Sequence, residues 1–166
     1  MSKSSSNQFT GTRGQKIAQG LVPANQKEKV VSWAKATAEY LAGKSKRKRE
    51  NFRTACVAFD EETGKLYFGR NKGINLDASN VKKNDILFGK DGILPNKSLN
   101  GYPTPWNCAE TDAINQALNN GAKLKNIHIY TIDTTANNFG KDKKSCLNCK
   151  TAYKGRIKKN NTGWIE

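Results

Sequence analysis

What most restricts the fold of this sequence is a divided cysteine constellation: Cys108-Ala109-Glu110, then 35 intervening residues, then Cys146-Leu147-Asn148-Cys149. A fold that uses it must bring the starts of two distant segments together. Asn107 is a good N-cap, and Cys108 to Asn120 reads as a helix with Ala109, Ala113, Ile114, Ala117 and Leu118 on its buried side and Gly121 ending it. Cys146 to Lys154 reads as a second helix, closed by Gly155. Cys108 then falls in the first turn of one helix, and Cys146 and Cys149 lie on one side of the first turn of the other. Helix N-termini favour thiolates, the form that zinc requires. Three protein ligands leave a tetrahedral position open, the arrangement of a catalytic zinc site. Glu110, two residues past its ligand, would stand beside that position as a carboxylate able to accept and return a proton.

Each of these readings has a plainer alternative. Asn107-Cys-Ala-Glu110 is also a capping box, in which Glu110 would be structural. Cys146 and Cys149 also suit a redox pair or half of a structural zinc site, which would need a fourth ligand. The other cysteine, Cys56, lies mid-strand in an apolar run, and the only histidine, His128, sits between Ile127 and Ile129, so both read as core or sheet residues. Four cysteines permit disulfides in principle, but the ligand spacing argues for thiolates held by metal.

The remainder of the chain supplies the frame. Pro23 opens a helical stretch with Val30, Trp33, Ala34, Thr37, Tyr40 and Leu41 at three- and four-residue spacing, and Gly43 ends it. Phe52 to Phe59 is continuous and β-rich, Asp60 to Gly64 is a turn, and Lys65 to Arg70 returns, predicting a hairpin. Residues 71–107, rich in Asn, Gly, Lys, Asp and Pro, read as a long loop of the kind that usually serves a function. Ile127 to Ile132 is a short strand, and Asn160 to Glu166 suggests a last one around Trp164 and Ile165. The order predicts an α/β domain over residues 23–166, a mixed sheet with helices on its faces. Residues 1–22 are polar and read as a flexible linker, a tag remnant or the junction to a further domain. No stretch approaches the roughly 20 apolar residues of a membrane span, and no apolar h-region follows Met1. A soluble chain without a signal peptide, acting in a cytoplasm, is the expectation. No exposed apolar stripe is evident, so a monomer is expected.

Charge points to the partner. Twenty-nine Lys and Arg against 14 Asp and Glu give +15, well beyond what solubility requires, and imply a polyanion. One cluster is Lys44, Lys46, Arg47, Lys48 and Arg49, followed by Arg53; another spreads from Lys141 through Lys143, Lys144, Lys150, Lys154, Arg156 and Lys158 to Lys159. Arg70 and Lys72 lie between them at the hairpin exit. A solvated basic surface is the plainer reading of the first cluster alone.

The residues NCAETDAINQALNNGA, a strand, and then CLNC resemble the cytidine deaminase-like superfamily, whose pattern is His or Cys, any residue, Glu, and later Pro-Cys-x-x-Cys. They are most similar to bacterial polymorphic-toxin deaminases of the YwqJ-like type, over roughly residues 28–156. Ser145 departs from the pattern by standing where the superfamily usually has Pro; a change in turn rigidity, with metal binding kept, is expected from it. The resemblance implies a three-layer fold with about five strands and helices on both faces, Zn2+ as cofactor, and removal of an amine from a nucleobase. It also implies an Asn after the hairpin that contacts substrate, for which Asn71 fits best and Asn75 second, and aromatic stacking on the base, for which Trp106 and Tyr102 in the loop before the first helix are placed. Asn71 and the two aromatics also suit turn and loop fastening. Backbone groups near Ala109 and Ser145 would orient water and the leaving amine. An acidic immunity protein covering the pocket is a further expectation of the toxin resemblance.

Charge separates the substrates: a free-nucleoside enzyme has no need of +15, whereas affinity for a polymer rises with each phosphate neutralised. Cytosine in nucleic acid is the expected target, DNA ahead of RNA on the toxin resemblance. In duplex DNA the base must be flipped out, which makes an aromatic wedge such as Trp106 or Phe88 useful. The other readings are a free cytidine or nucleotide deaminase, an RNA-directed enzyme acting on C or A, and a non-catalytic zinc-stabilised nucleic-acid binder.

Overall fold

The computed structural model describes residues 53–76, 81–101, 104–135 and 137–166. The segment 1–22, the helix expected after Pro23, the basic residues Lys46, Arg47, Lys48 and Arg49, the side chain of Asn75, and Tyr102 lie outside the described residues.

Strand β1 (Thr54–Asp60) is buried along its whole length, as its unbroken β-rich sequence requires of a central strand. Asp60 ends it by turning the chain: its carboxylate accepts the Glu62 N–H and the Thr63 hydroxyl, and Gly64, at φ 77°, reverses the direction. Strand β2 (Leu66–Arg70) then pairs antiparallel with β1, placing Gly69 opposite Cys56 and Tyr67 opposite Ala58. The hairpin expected from the sequence is present.

Among its described residues the loop 71–107 contains two short helices, α1 (Gly73–Leu76) and α2 (Asp85–Phe88). Polar residues of the following helix hold it down. The buried Asn115 accepts the Asn84 N–H and donates to the Lys82 carbonyl, to which Asn119 also donates. Helix α3 (Ala109–Asn119) is next, and a short 3₁₀ turn (Leu124–Asn126) leads into β3 (Ile127–Asp133). β3 lies antiparallel to β1 on the side opposite β2, with Thr131 across from Cys56. After α4 (Leu147–Tyr153), β4 (Lys159–Asn160) runs parallel to β3, so the last strand arrives by a β-α-β crossover.

The described sheet is therefore mixed and four-stranded, in the order β2-β1-β3-β4. About five strands were expected. The segment expected to form a strand around Trp164 and Ile165 is a two-residue strand earlier, at Lys159–Asn160, followed by a tight turn and one isolated parallel bridge from Trp164 to Ser145. Asn160 causes the break: its Oδ1 accepts the N–H groups of Thr162 and Gly163, and Gly163 sits at φ 87°, which no extended strand tolerates.

Period-two alternation decides which side chains face α3. Cys56, Ala58, Tyr67, Ile127 and Ile129 join Ala109, Ala113, Ile114, Ala117, Leu118 and the α4 residues Cys149, Ala152 and Tyr153 in one core. The opposite sheet face buries Ala55, Val57, Leu66 and Ile132, so both faces of the sheet are covered. Ala109, Ala113 and Ala117, four residues apart, give α3 a smooth side. At its N-terminal end that side rests on Gly69, where a Cβ would lie 2.3 Å from the Ala109 carbonyl oxygen and 2.4 Å from the Ala113 nitrogen. Glycine on β2 thus sets how close the start of α3 comes to the sheet. Among the described residues no helix is long and apolar enough to cross a membrane.

Candidate metal centre

Helices α3 and α4 present their first turns to each other. In both, a cysteine of the constellation is the N-cap, Cys108 for α3 and Cys146 for α4. A hydrogen bond of 2.8 Å between the buried hydroxyls of Thr111 and Tyr153 joins the two helices just behind them. The sulfurs of Cys108, Cys146 and Cys149 all lie within 4.8 Å of one another, and Cys108 Sγ is 3.0 Å from Cys146 Sγ. Zn–S bonds of about 2.3 Å place tetrahedral sulfurs roughly 3.8 Å apart. The cluster fits that span, with the Cys108–Cys146 pair opening by somewhat less than ~1 Å. The three thiols suit a thiophilic ion. Cys56 lies buried in β1 and outside the cluster, and His128 donates or accepts at 2.8 Å with Glu61, so both are sheet residues as expected.

Without a cation three adjacent sulfurs cannot all ionise. Hydrogen bonding with Cys108 and then with Cys149 draws the Cys146 thiol well below the ordinary thiol range. The same contact with Cys146 pushes Cys108 up, and its contacts with Cys108 and Cys146, with burial added, push Cys149 up. The thiolate is shifted by neighbouring sulfurs first, where the sequence pointed to helix N-termini.

Glu110 is buried at 3% exposure, two residues past Cys108, and its carboxylate reaches Thr131 of β3 and Ser145, the residue before Cys146. Its Oε2 accepts a 2.6 Å hydrogen bond from the Ser145 hydroxyl and a 3.2 Å one from the Thr131 hydroxyl. Burial raises its pKa above the ordinary carboxylate range, and the Ser145 hydrogen bond works against that rise. The capping box is not formed. The N-cap of α3 is Cys108, one residue later than expected, because the Asn107 carbonyl accepts the Lys72 N–H instead of starting the helical ladder. Glu110 is thereby turned away from the helix start and toward Ser145.

Other expected site residues are placed as follows. Ala109 is fully buried at the start of α3, between Cys108 and Glu110. Ser145 is fully buried, its backbone N–H and C=O are taken by Gly163 and Ile165, and its hydroxyl reaches Glu110. The Oδ1 of Asn71 accepts the N–H groups of Arg53 and Thr54, fastening the exit of β2 to the start of β1. Trp106 meets Phe88 edge-on at 6.4 Å, and the Lys83 ammonium lies 5.9 Å from each ring centroid. Arg53, Lys72 and Lys144 are exposed and Arg70 is half-buried. Within the second basic cluster Lys143 donates to the Thr54 hydroxyl, Arg156 to the carbonyls ending α4, and Lys158 pairs with Glu61, so these three brace the fold.

Sequence reading missed Asn148. Buried between the two paired cysteines, it accepts the Leu99 N–H at 2.7 Å and donates to the Ser98 hydroxyl, pinning the loop before Trp106 onto the metal turn. A polar residue between two ligands was the available signal. Comparison with protein-family models, curated proteins and solved structures finds no match to this chain.

Proposed function

We propose that the chain is a zinc-dependent deaminase that converts cytosine to uracil in nucleic acid, DNA ahead of RNA, built on a three-layer deaminase-like fold. The observation that carries this reading is the placement of one buried carboxylate, Glu110, beside a cluster of three cysteines at the starts of two helices. A structural metal site has no use for it. Cys108, Cys146 and Cys149 would hold the metal as thiolates. When bound, zinc supplies Lewis acidity that makes a proton of water easier to remove. Glu110 would accept that proton and pass it to the ring nitrogen, then carry the second proton, that of the hydroxyl added to the ring, to the amine, so that cytosine and water give uracil and ammonia. A raised carboxylate pKa suits a group that must both take and give a proton near neutrality.

Trp106 and Tyr102 serve as walls of the base pocket in this reading. A contact from Asn71 to substrate would be made by its amide nitrogen, since its oxygen is engaged. Lys144, Arg53, Arg70 and Lys72, with Lys46 to Arg49, neutralise phosphates, and the net charge of +15 supports a polyanion over a free nucleoside. The same charge favours an acidic protein as a natural inhibitor. The test is sequencing of single- and double-stranded DNA and RNA after incubation with wild type and Glu110→Ala, with zinc content measured for both. C-to-U conversion that is lost in the variant while zinc stays supports the reading. Zinc-loaded wild type without conversion on any polymer refutes it in favour of free nucleosides or a binding module.

A further inference from the structure

The Glu110 carboxylate is anchored at one oxygen by two hydroxyls from separate parts of the sheet region, and one of these hydroxyls is itself held. Ser145 Oγ has a single proton to give. It accepts a 3.0 Å hydrogen bond from Asn160 Nδ2, so its proton points to Glu110 Oε2, 2.6 Å away. Asn160 cannot exchange its amide oxygen and nitrogen at low cost. Its Oδ1 accepts the Thr162 and Gly163 N–H groups at 3.1 and 3.2 Å, and its Nδ2 also donates to the Gly163 carbonyl at 2.9 Å. A flipped amide would set like groups against each other at all of these positions. The hydrogen bonds therefore run in one direction: turn N–H groups to Asn160, Asn160 to Ser145, Ser145 to Glu110. Thr131 completes the arrangement from β3, where pairing with Cys56 aims it at α3.

We infer that Ser145 and Asn160 are positioning residues for Glu110, together fixing which carboxylate oxygen is tied to the protein and which is presented to the reacting groups. This rests on the deaminase reading and deepens it. Ser145 would then do by hydrogen bonding what the superfamily's usual Pro at that place does not do: hold the carboxylate through its side chain. Without Ser145 the carboxylate would keep only the longer 3.2 Å contact to Thr131 and its own backbone N–H, and would lose its shortest anchor. A misplacement of about 1 Å in a reacting group costs on the order of a hundredfold in rate.

The decisive variant is Asn160→Asp. It is nearly isosteric and keeps the oxygen that accepts the turn N–H groups, but it replaces the donor to Ser145 by an acceptor, drawing the hydroxyl proton away from Glu110; it also loses the bond to the Gly163 carbonyl, so Ser145→Ala is read beside it. Expected for Asn160→Asp and for Ser145→Ala is a fall in kcat of roughly 10–100-fold with KM within about twofold of wild type and zinc content unchanged. Ser145→Thr, which keeps the hydroxyl, should recover most of the loss. An unchanged kcat in both, or an effect confined to KM, overturns the inference. A second readout does not use activity. In zinc-loaded protein, the drop in Tm from Ser145→Ala should shrink by at least about half in a Glu110→Ala background, because the two groups are each other's partners. Additive drops overturn the pairing. Non-additive drops in a protein that deaminates nothing would keep the Ser145–Glu110 pair and refute the deaminase reading alone.

Discussion

Replacing Gly69 with Ala tests whether the seat of α3 sets the metal centre. The added methyl would lie 2.3 Å from the Ala109 oxygen, 2.4 Å from the Ala113 nitrogen and 2.8 Å from the Ala113 Cβ. Ordinary contacts begin near 3.4 Å, and the two closest atoms are backbone that cannot rotate away, so the start of α3 must lift from β2 by about 1 Å. Overpacking of this kind costs typically 1–3 kcal/mol, and the rigid neighbours place this case near ~3 kcal/mol. For a domain of this size that is a Tm drop on the order of 10 °C. Cys108 and Glu110 flank Ala109 and move with it, whereas Cys146 and Cys149 ride on α4. Ligand distances tolerate about 0.2 Å, so zinc affinity should fall by roughly 10–100-fold. Thermal melts of zinc-loaded and chelator-treated protein, with a competitive zinc titration, measure both effects. Gly121→Ala is the control. Its backbone sits at φ 92° with no atom within 4 Å of the added Cβ, so it should cost about 1–2 kcal/mol and leave zinc affinity alone. A Gly69→Ala protein as stable as wild type, or destabilised with zinc affinity intact, would refute the reasoning.

Zinc loading should release two protons near neutral pH, since Cys146 is already ionised while Cys108 and Cys149 are held protonated. Affinity should then rise about a hundredfold per pH unit and fall as pH drops, and a titration in weak buffer with a pH indicator that finds no release would contradict it. Tyr153→Phe removes the hydroxyl partner of the buried Thr111 and should cost about 1 kcal/mol in urea unfolding, with the cost largely recovered in the double variant with Thr111→Val. Asn148→Ala should leave zinc content unchanged yet make residues 98–100 the first site of limited proteolysis, because their ties to α4 are lost. Protection of that loop equal to wild type would show that other contacts hold it.

The hairpin, β3 and the two cysteine-bearing helices were legible because each is encoded locally: the apolar run of β1, the Asp60 turn, the alternation of IHIYTI, the small-residue stripe of α3. The gathering of Cys108, Cys146 and Cys149 was legible through spacing and chemistry, since thiols at helix starts make sense as a set. The start of α3 was one residue off because a tertiary contact, Lys72 N–H to the Asn107 carbonyl, overrides the local capping preference of Asn107. The role of Ser145 was not legible. Its partner Glu110 lies 35 positions away, and a Ser in place of Pro suggests backbone looseness before it suggests a hydrogen bond. The short β4 was missed for a similar reason: Asn160 and Gly163 close a turn inside what composition made look like one extended strand.

The turn at Asn160 also imposes an order of events during synthesis. All three thiols and Glu110 precede the turn in the chain. The strand that brings Asn160 to Ser145 pairs in parallel with β3 and can only be added after α4 has crossed over the sheet, a slower event than closing a hairpin. Metal capture and the fixing of the carboxylate are therefore separable in time, with the newborn protein passing through a loaded but incompletely aligned state.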